Sequence, residues 1–282
     1  VNGGRNTAVG ADALALMNPS SSGNSYNAAF GYGAGANMTT AFQNTLLGSR
    51  AGVEITTGNY NTAVGYNSLG LTTTGYANVA IGREAGLLGS GSSSVSIGHE
   101  ASSSGSDSLA IGRNVTANAS SSVAIGAYAR VGGIIGKYAF ANDYINGAGD
   151  AQQGKYVLHV STTDATAIAL TSTGTAASSN NQLNLQNNSA YAFHGTIVAR
   201  EKASEGTECA AWKVEGLIRR EGSAGTTVLV NSATTIIDNT YSWDMALSAD
   251  TTNGCLKIEV TGAASTNIRW VATIETSELI YA

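Results

Sequence analysis

The sequence predicts an all-β protein in which a parallel β-roll of 14–17-residue coils precedes a connector and an antiparallel β-sandwich. A short motif recurs through the first half, and glycine is abundant at 35 residues while proline occurs once. The last third alternates apolar and polar residues with the strand period of two. We therefore expect a roll over residues 1–130, a connector or neck with short strands over 131–189, and a sandwich tip domain over 190–282.

The repeat of the first half is a five-residue motif that ends in glycine, as in NTAVG, NVAIG and SVAIG. Successive closing glycines are separated by 21, 17, 17, 17, 16, 14 and 14 residues. Eight copies at this spacing predict stacked coils, each with short strands joined by turns. The closing glycines are Gly10, Gly31, Gly48, Gly65, Gly82, Gly98, Gly112 and Gly126.

Each motif has one bulky and one small side. In SVAIG, Val123 and Ile125 share one side of a strand, whereas Ala124 and Gly126 share the other. We expect the bulky side to fill the interior of the roll, and the small side to let a second copy of the chain approach closely. This predicts a homotrimer packed around a shared axis. The predicted interface residues are Ala8, Gly10, Ala63, Gly65, Ala80, Gly82, Ala110, Gly112, Ala124 and Gly126.

Two further features of the repeat region are a long spacing and a set of tyrosines. The longest spacing contains Pro19 and predicts a surface loop that bulges from one coil. Tyrosines recur near the turns, where we favour a role in capping the interior of the roll over stacking on sugars. These tyrosines are Tyr26, Tyr32, Tyr60, Tyr66 and Tyr76.

Charge and hydropathy argue against two classes of partner. The net charge is −5, and residues 137–282 hold nine basic and fourteen acidic residues, so nucleic acid is not expected as a ligand. No apolar run is long enough to span a bilayer and no signal-peptide pattern is visible, so we expect no membrane insertion. Because the repeat is under way by Asn6, we expect the chain to be a piece of a longer polypeptide.

The second half predicts five sandwich strands: YAFHGTIVAR, AAWKVEGLI, SWDMALS, CLKIEVTG and NIRWVATIET. If these strands alternate in direction, the turns KASEGTE, NSAT and ADTTNG lie together at one distal end. We therefore predict receptor contacts in two of these turns, the alternative being ordinary polar turns. The predicted contact residues are Lys202, Ser204, Glu205, Asp250, Thr252 and Asn253.

Metal and cofactor chemistry is not expected. Cys209 and Cys255 are too few for a disulfide framework and predict free, partly buried thiols. His99, His159 and His194 are isolated in the sequence, so we predict no metal site and no cofactor. Three copies of one histidine on a trimer axis remain an alternative.

Hydrolytic chemistry is not expected either. Glycoside hydrolysis requires two carboxylates, and the spaced acids Asp238, Asp244 and Asp250 are interpreted as solvated surface. Neither a GxSxG motif nor a phosphate-binding GxxxxGK[ST] loop is present. We therefore predict no catalytic residues and no enzymatic activity.

Both halves resemble known families. SSSVSIGHEASSSGSDSLAIGRNVTANASSSVAIGAYA resembles the head repeats of trimeric autotransporter adhesins, and GNYNTAVGYNSLGLTTTGYANVAIGREAG resembles a variant found in phage tail fibres. KYVLHVSTTDATAIALTS, YAFHGTIVAREK, SWDMALSADTTNG and IRWVATIET resemble the C-terminal domain of phage tail fibres. The resemblances cover residues 6–130 and 150–276, and they imply a left-handed, trimeric roll followed by a trimeric distal domain.

The resemblance implies a structural and receptor-binding tail-fibre protein of the virion that mediates attachment to the host cell surface. We expect a surface carbohydrate as receptor, a homotrimer, and contacts with other virion tail proteins through an upstream region. The alternatives are a bacterial trimeric surface adhesin and a tailspike that depolymerises polysaccharide.

Overall fold

The computed structural model describes residues 4–18, 25–87, 91–202, 206–241 and 243–281. These residues form β-strands and one 3-10 turn, Ala224–Thr226, so the predicted all-β class is confirmed. The chain divides into two compact units: Val1–Gly132 with Phe140–Asp143, and Gly133–Ala139 with Tyr144–Ala282. Within the described ranges, no helix is long and apolar enough to cross a bilayer.

The first unit is a parallel β-solenoid, as the repeat predicts. Consecutive motif strands pair in parallel and in register, so that equivalent residues of successive coils form columns. Two shorter strands, β7 and β9, also pair in parallel. The strands are β1 (Thr7–Val9), β2 (Ala28–Phe30), β3 (Thr45–Leu47), β4 (Thr62–Val64), β5 (Val79–Ile81), β6 (Val95–Ile97), β7 (Ser102–Ser103), β8 (Leu109–Arg113), β9 (Thr116–Ala117) and β10 (Val123–Ala127).

A ladder of asparagines holds successive coils together before each motif strand. The backbone N and side-chain Nδ2 of Asn44 donate to Oδ1 of Asn27 at 2.9 and 3.1 Å. Asn61 repeats both bonds to Asn44. In the shorter coils serine takes this position, and Ser94 donates to Oδ1 of Asn78 through its backbone N at 3.1 Å and its Oγ at 2.8 Å. The motif asparagine is therefore explained by hydrogen bonding inside the roll.

In the motif strands after β1, the two sides are the reverse of what we expected. The small middle residue points inward, whereas Phe30 and Leu47 on the bulky side are 56% and 48% exposed. The interior is narrow, and Met38, Ile55 and Leu69 from the segments between motif strands help to fill it, so most inward middle residues are small and Leu46 is the exception. The buried middle residues are Ala29, Leu46, Ala63, Ala80, Ser96, Ala110 and Ala124.

This finding corrects part of the predicted trimer interface. Ala63, Ala80, Ala110 and Ala124 are enclosed by their own chain, and an enclosed side chain does not reach a neighbouring molecule. Ala8 lies in the described part of the first coil and is exposed. The assignment of Ala8 and of the motif glycines to an interface stays a prediction.

The motif glycines are required by stacking within one chain. Gly82 has φ +131°, a conformation that L side chains rarely adopt, and a Cβ built on it would lie 2.4 Å from the carbonyl oxygen of Gly98. A Cβ on Gly65 would lie equally close to the carbonyl oxygen of Gly82. Each coil therefore approaches the backbone of the next coil too closely for any side chain.

Two further expectations for this unit have different outcomes. All five repeat tyrosines are exposed, so the prediction that they cap the interior was wrong. The predicted loop at Pro19 falls on residues 19–24, which lie outside the described residues.

A further strand, β11 (Tyr138–Ala141), spans the point at which the two units divide.

The second unit contains two antiparallel sheets. The larger sheet has the strand order β12-β20-β15-β16-β17, and in the smaller sheet β13, β14 and β18 all pair with β19. The strands are β12 (Ala151–Thr162), β13 (Ile168–Ala169), β14 (Leu183–Asn184), β15 (Ser189–Glu201), β16 (Cys209–Arg220), β17 (Val228–Asp238), β18 (Asp244–Asp250), β19 (Cys255–Thr261) and β20 (Ile268–Ile280).

One buried apolar cluster connects the two sheets. Trp212 stacks on Trp270 with ring centroids 5.7 Å apart, and Trp243 from the smaller sheet lies 5.9 Å from Trp270. Val214 of the predicted segment AAWKVEGLI and Ile258 of CLKIEVTG belong to this cluster. The description of this unit as a β-sandwich stays a prediction.

Three details of the second half differ from the sequence prediction. The segment NSAT, which we expected to be a turn, lies inside β17 (Val228–Asp238). β12 pairs with β20 over its full length, so residues 144–189 share one compact unit with the strands after them. Of the two free thiols, Cys255 is buried and Cys209 is exposed, although both were expected to be partly buried.

Candidate functional site

Two concave sites of the second unit lie at opposite ends of the larger sheet. The first, which we call the hairpin pocket, has a volume of about 620 Å³ and adjoins the hairpin between β18 and β19. Its polar lining is dominated by side-chain amides, with Leu185 and Ile280 as apolar contributors. The polar residues of interest are Asn184, Gln186, Asn187, Arg220, Thr252 and Asn253.

Asp250 shapes the hairpin that borders this pocket. Its Oδ1 accepts hydrogen bonds from the backbone N of Thr252 and of Asn253, both at 3.0 Å, and its Oδ2 accepts one from Nδ2 of Asn253 at 2.8 Å. Burial alone would raise the pKa of Asp250, but these hydrogen bonds outweigh it and hold the pKa below its ordinary value. Asp250 is therefore an ionised structural acid within the turn.

Arg220 and Asn184 join the hairpin to the larger sheet. Nη1 of Arg220 donates to the carbonyl oxygen of Leu185 at 2.6 Å, and Nδ2 of Asn184 donates to the carbonyl oxygen of Asn253 at 2.8 Å. The Nε of Arg220 is buried without a hydrogen-bond partner among the described residues. The pocket thus presents amide groups and one guanidinium on a wall fixed by side-chain hydrogen bonds to backbone carbonyl oxygens.

The second site, which we call the cationic groove, has a volume of about 460 Å³ at the opposite end of the larger sheet. Lys202 follows the last residue of β15, and its backbone N donates to the carbonyl oxygen of Asn267 at 2.9 Å. Arg200 and Arg269 are directly paired neighbours on strands β15 and β20. The lining residues that matter here are Ser161, Arg200, Glu201, Lys202, Asn267 and Arg269.

A pair of carboxyl groups stands beside this groove. The side chain of Glu201 hydrogen-bonds to that of Glu208, and this bond holds the pKa of Glu208 below its usual value. A Cβ placed on Gly206 would collide with both carboxyl groups, so glycine leaves room for the pair.

The structure separates the predicted receptor residues. Lys202 lies beyond Glu201, which pairs with Ile268 at the start of β20. Thr252 and Asn253 lie with Arg220, at the other end of the larger sheet. Strand β15 has 13 residues, so the two ends are roughly 40 Å apart. The expectation that these turns share one distal end is therefore corrected, and Ser204 and Glu205 lie outside the described residues.

The reason for this difference is the placement of the strands. The prediction that the turns share one end required the five strands to alternate in direction as one series. However, β18 and β19 belong to the smaller sheet. In addition, β17 (Val228–Asp238) was not predicted as a strand. Asp250 is therefore the last residue of β18, at a hairpin of the smaller sheet. Whether any of the six residues binds a receptor stays a prediction.

Sequence reasoning missed most of the residues that line the two sites. Arg220, Asn184 and Asn187 carried no motif, and they meet the Asn253 turn only through the pairing of distant segments. Arg200 and Arg269 face outward in alternating strands, a pattern that predicts exposure but not that they are neighbours. In the described part of the chain, no three His, Cys, Asp or Glu side chains converge as metal ligands would.

Comparison with known proteins gives distant structural similarities. No family model matches the sequence, and no curated protein matches it. A tailspike protein, gp49 of Acinetobacter baumannii bacteriophage Fri1, described as a capsular polysaccharide depolymerase, is similar at 10% identity and a TM-score of 0.27, covering 86% of this chain and 48% of that one. The tailspike of A. baumannii phage AM24 is similar at 8% identity and a TM-score of 0.21, covering 90% and 48%.

The chain therefore spans about half the length of these solved structures. The similarity corrects one prediction. We expected no enzymatic activity, whereas a structure similar to this chain is described as a depolymerase, so that expectation is withdrawn.

Proposed function

We propose that this chain is part of a phage receptor-binding tail protein that acts at the host cell surface and binds a surface glycan. The repeat and C-terminal segments that resemble phage tail fibres support this proposal, as does the stacking of the repeats into a parallel solenoid.

The single observation that carries glycan binding is the composition of the hairpin pocket. Amide side chains offer both donors and acceptors, which sugar hydroxyls require, and Leu185 and Ile280 provide apolar surface for the sugar face. A volume of about 620 Å³ lies within the range of small-ligand sites. The wall is held by the bonds of Arg220 and Asn184 and is therefore preorganised.

We further propose that three copies of the chain assemble along the solenoid. The third residues of the motif strands form an outward apolar column, which includes Phe30, Leu47 and Ile81 at 56%, 48% and 41% exposure. A second copy of the same repeat has the same coil spacing, so columns of two copies match along their whole length. Three copies of each glycan site on one axis would raise the apparent affinity by multivalency.

Two neighbouring threonines provide a direct test of the hairpin pocket. Thr252 lines the pocket, whereas Thr251 is exposed in the same turn and is not among the lining residues. We expect Thr252→Ala combined with Asn187→Ala to weaken binding on an array of bacterial surface glycans by about tenfold, because two hydrogen-bonding groups are lost. Thr251→Ala should bind as the unaltered protein does. Equal binding by all variants would exclude the pocket as the receptor site.

A second candidate function is depolymerisation of the bound polysaccharide at the cationic groove. The observation that favours it is the carboxyl pair, because glycoside hydrolysis uses two neighbouring carboxyl groups. Two hydrogen-bonded carboxyl groups lie closer together than catalytic carboxyl groups do, which are separated by about 5 Å or more. Bound substrate would therefore have to separate Glu201 from Glu208.

Release of reducing ends from purified surface polysaccharide tests this candidate. We expect Glu208→Gln to lower the rate at least about hundredfold, since the neutral amide no longer acts as a base. Glu215→Gln is the matched control, because Glu215 is an exposed strand glutamate of the same sheet. Hydrolysis that is unchanged in Glu208→Gln would rule out this pair as the catalytic acids.

A further inference from the structure

The basic residues of the cationic groove differ from those in the rest of the unit in their ion pairing. Most other basic side chains of the second unit have an acidic partner within the unit: Lys137–Glu278, Lys155–Glu275, Lys213–Glu215, Arg219–Glu221 and Lys257–Glu259. Among the described residues, Arg200, Lys202 and Arg269 form no ion pair. They nevertheless line one concavity.

One acidic side chain also lines the groove. Glu201 is engaged with Glu208, and the bond between the two carboxyl groups lowers the pKa of Glu208. The surrounding sequence makes the cluster unusual, because residues 137–282 hold fourteen acidic and nine basic residues. A local excess of positive charge in an acidic unit requires a separate explanation.

The register of the sheet brings the two arginines side by side. Arg200 is paired with Arg269, and Arg269 is paired in turn with Ser161 on strand β12. Residues directly opposite in antiparallel strands have Cβ atoms about 5 Å apart, and like charges at this spacing repel each other. An anion bound between the two guanidinium groups would remove the repulsion and accept hydrogen bonds from both.

We propose that the cationic groove binds the anionic group of an acidic glycan, a carboxylate or a phosphate ester. Arg200 and Arg269 hold the anion, Lys202 adds a third positive charge, and Ser161 and Asn267 offer neutral groups for adjacent sugar hydroxyls. This site goes beyond the proposed function, because its ligand is charged and it lies at the end of the larger sheet opposite the hairpin pocket. It requires no cleavage of the glycan.

Titration calorimetry of the whole chain tests the proposal with three probes. Short oligogalacturonides supply carboxylates, glucose 6-phosphate supplies a phosphate ester, and maltooligosaccharides of matched length are neutral. We expect one or both anionic probes to bind and the neutral probe not to bind at this site, with affinity falling as sodium chloride is raised. Preference between the two anionic probes distinguishes the carboxylate from the phosphate source.

Variants then locate the binding. Arg200→Ala and Arg269→Ala should each weaken binding of the anionic probe by about tenfold or more, because a charge-assisted bond is lost. Lys213→Ala is the control, since Lys213 is an exposed, ion-paired lysine of the same sheet. Circular dichroism verifies that each variant is folded. Equal binding of neutral and anionic probes, or an equal loss in Lys213→Ala and Arg200→Ala, would overturn the proposal, as would the absence of anion binding.

Discussion

Nζ of Lys137 lies 2.7 Å from a carboxylate oxygen of Glu278, and the two side chains are 2% and 0% exposed. The same carboxylate accepts hydrogen bonds from Gln152, from the hydroxyl of Tyr156 at 2.8 Å and from Thr276 at 2.9 Å. Burial, followed by the charge of Glu278, raises the pKa of Tyr156 well above its ordinary value, so Tyr156 remains a hydrogen-bond donor. These contacts connect the start of the second unit to its last strand, β20.

Removing one member of this ion pair should destabilise the second unit strongly. We expect Lys137→Ala to lower the free energy of unfolding by about 3–5 kcal/mol, because Glu278 is left as a buried, uncompensated charge. Urea denaturation followed by tryptophan fluorescence measures the change. The double variant Lys137→Met with Glu278→Gln should recover part of the loss, since a neutral amide costs less to bury. A loss below about 1 kcal/mol in Lys137→Ala would contradict this account.

The motif glycines should not tolerate alanine. Gly82→Ala places a Cβ 2.4 Å from the carbonyl oxygen of Gly98 in an unfavourable φ region, so we expect a loss of stability on the order of 2 kcal/mol or more. Thermal unfolding followed by circular dichroism measures it. Gly222→Ala is the control, because a Cβ there meets nothing within 4 Å. Equal melting temperatures for the two variants would show that coil stacking does not depend on this glycine.

The outward column of the solenoid should control assembly. We expect light scattering to give a mass near three times 28.5 kDa, and Ile81→Glu to shift it toward a single chain, because a charge would be buried at the interface. Thr73→Glu is the control, since Thr73 is exposed elsewhere on the solenoid. A monomeric unaltered protein, or an unchanged trimer in Ile81→Glu, would refute the assignment.

Asp250 should contribute a pH-dependent part of the stability. Burial opposes ionisation of Asp250, but the hydrogen bonds from Asn253 and Thr252 outweigh it and lower the pKa. A lowered folded-state pKa means that the stabilisation is complete above the unfolded value near pH 4 and is lost as the pH falls through the lower folded value.

The expected size of this contribution is at most about 1 kcal/mol, because the turn is partly solvated. Asp250→Ala should therefore melt below the unaltered protein at neutral pH, and the difference should narrow between pH 4 and pH 2. Melting curves measured across this range check the sign. If the difference in melting temperature between the two proteins widened as the pH fell, the folded state would not favour the ionised form of Asp250.

The two thiols should differ in reactivity. Cys209 is exposed, whereas Cys255 is buried and burial raises its pKa to about 11. Iodoacetamide should modify Cys209 in the folded protein, and Cys255 only after denaturation. Mass spectrometry of tryptic peptides distinguishes the two. Equal modification of both under native conditions would contradict the burial of Cys255.

The alternation of side chains was sufficient to predict five strands of the second unit, and Trp212, Ile258 and Trp270 within these strands are buried. It failed for β17 (Val228–Asp238), whose edge position leaves nearly all its residues exposed. A strand without a buried side carries no inward pattern, so NSAT was interpreted as a turn. The pairing of Arg200 with Arg269 was equally invisible, because register joins segments nearly 70 residues apart.

The sequence by itself determined that the chain is all-β, that its first half stacks a glycine-terminated repeat in parallel, and where most strands of the second half lie. These features follow from local periodicity, which a strand imposes on its own residues. Only the tertiary structure decided which side of each repeat faces inward, because a narrow roll admits small side chains such as Ala80 and turns Ile81 outward. It also decided that Lys202 and Asn253 lie at opposite ends of one sheet, since the order in which strands pair is fixed by packing between distant segments.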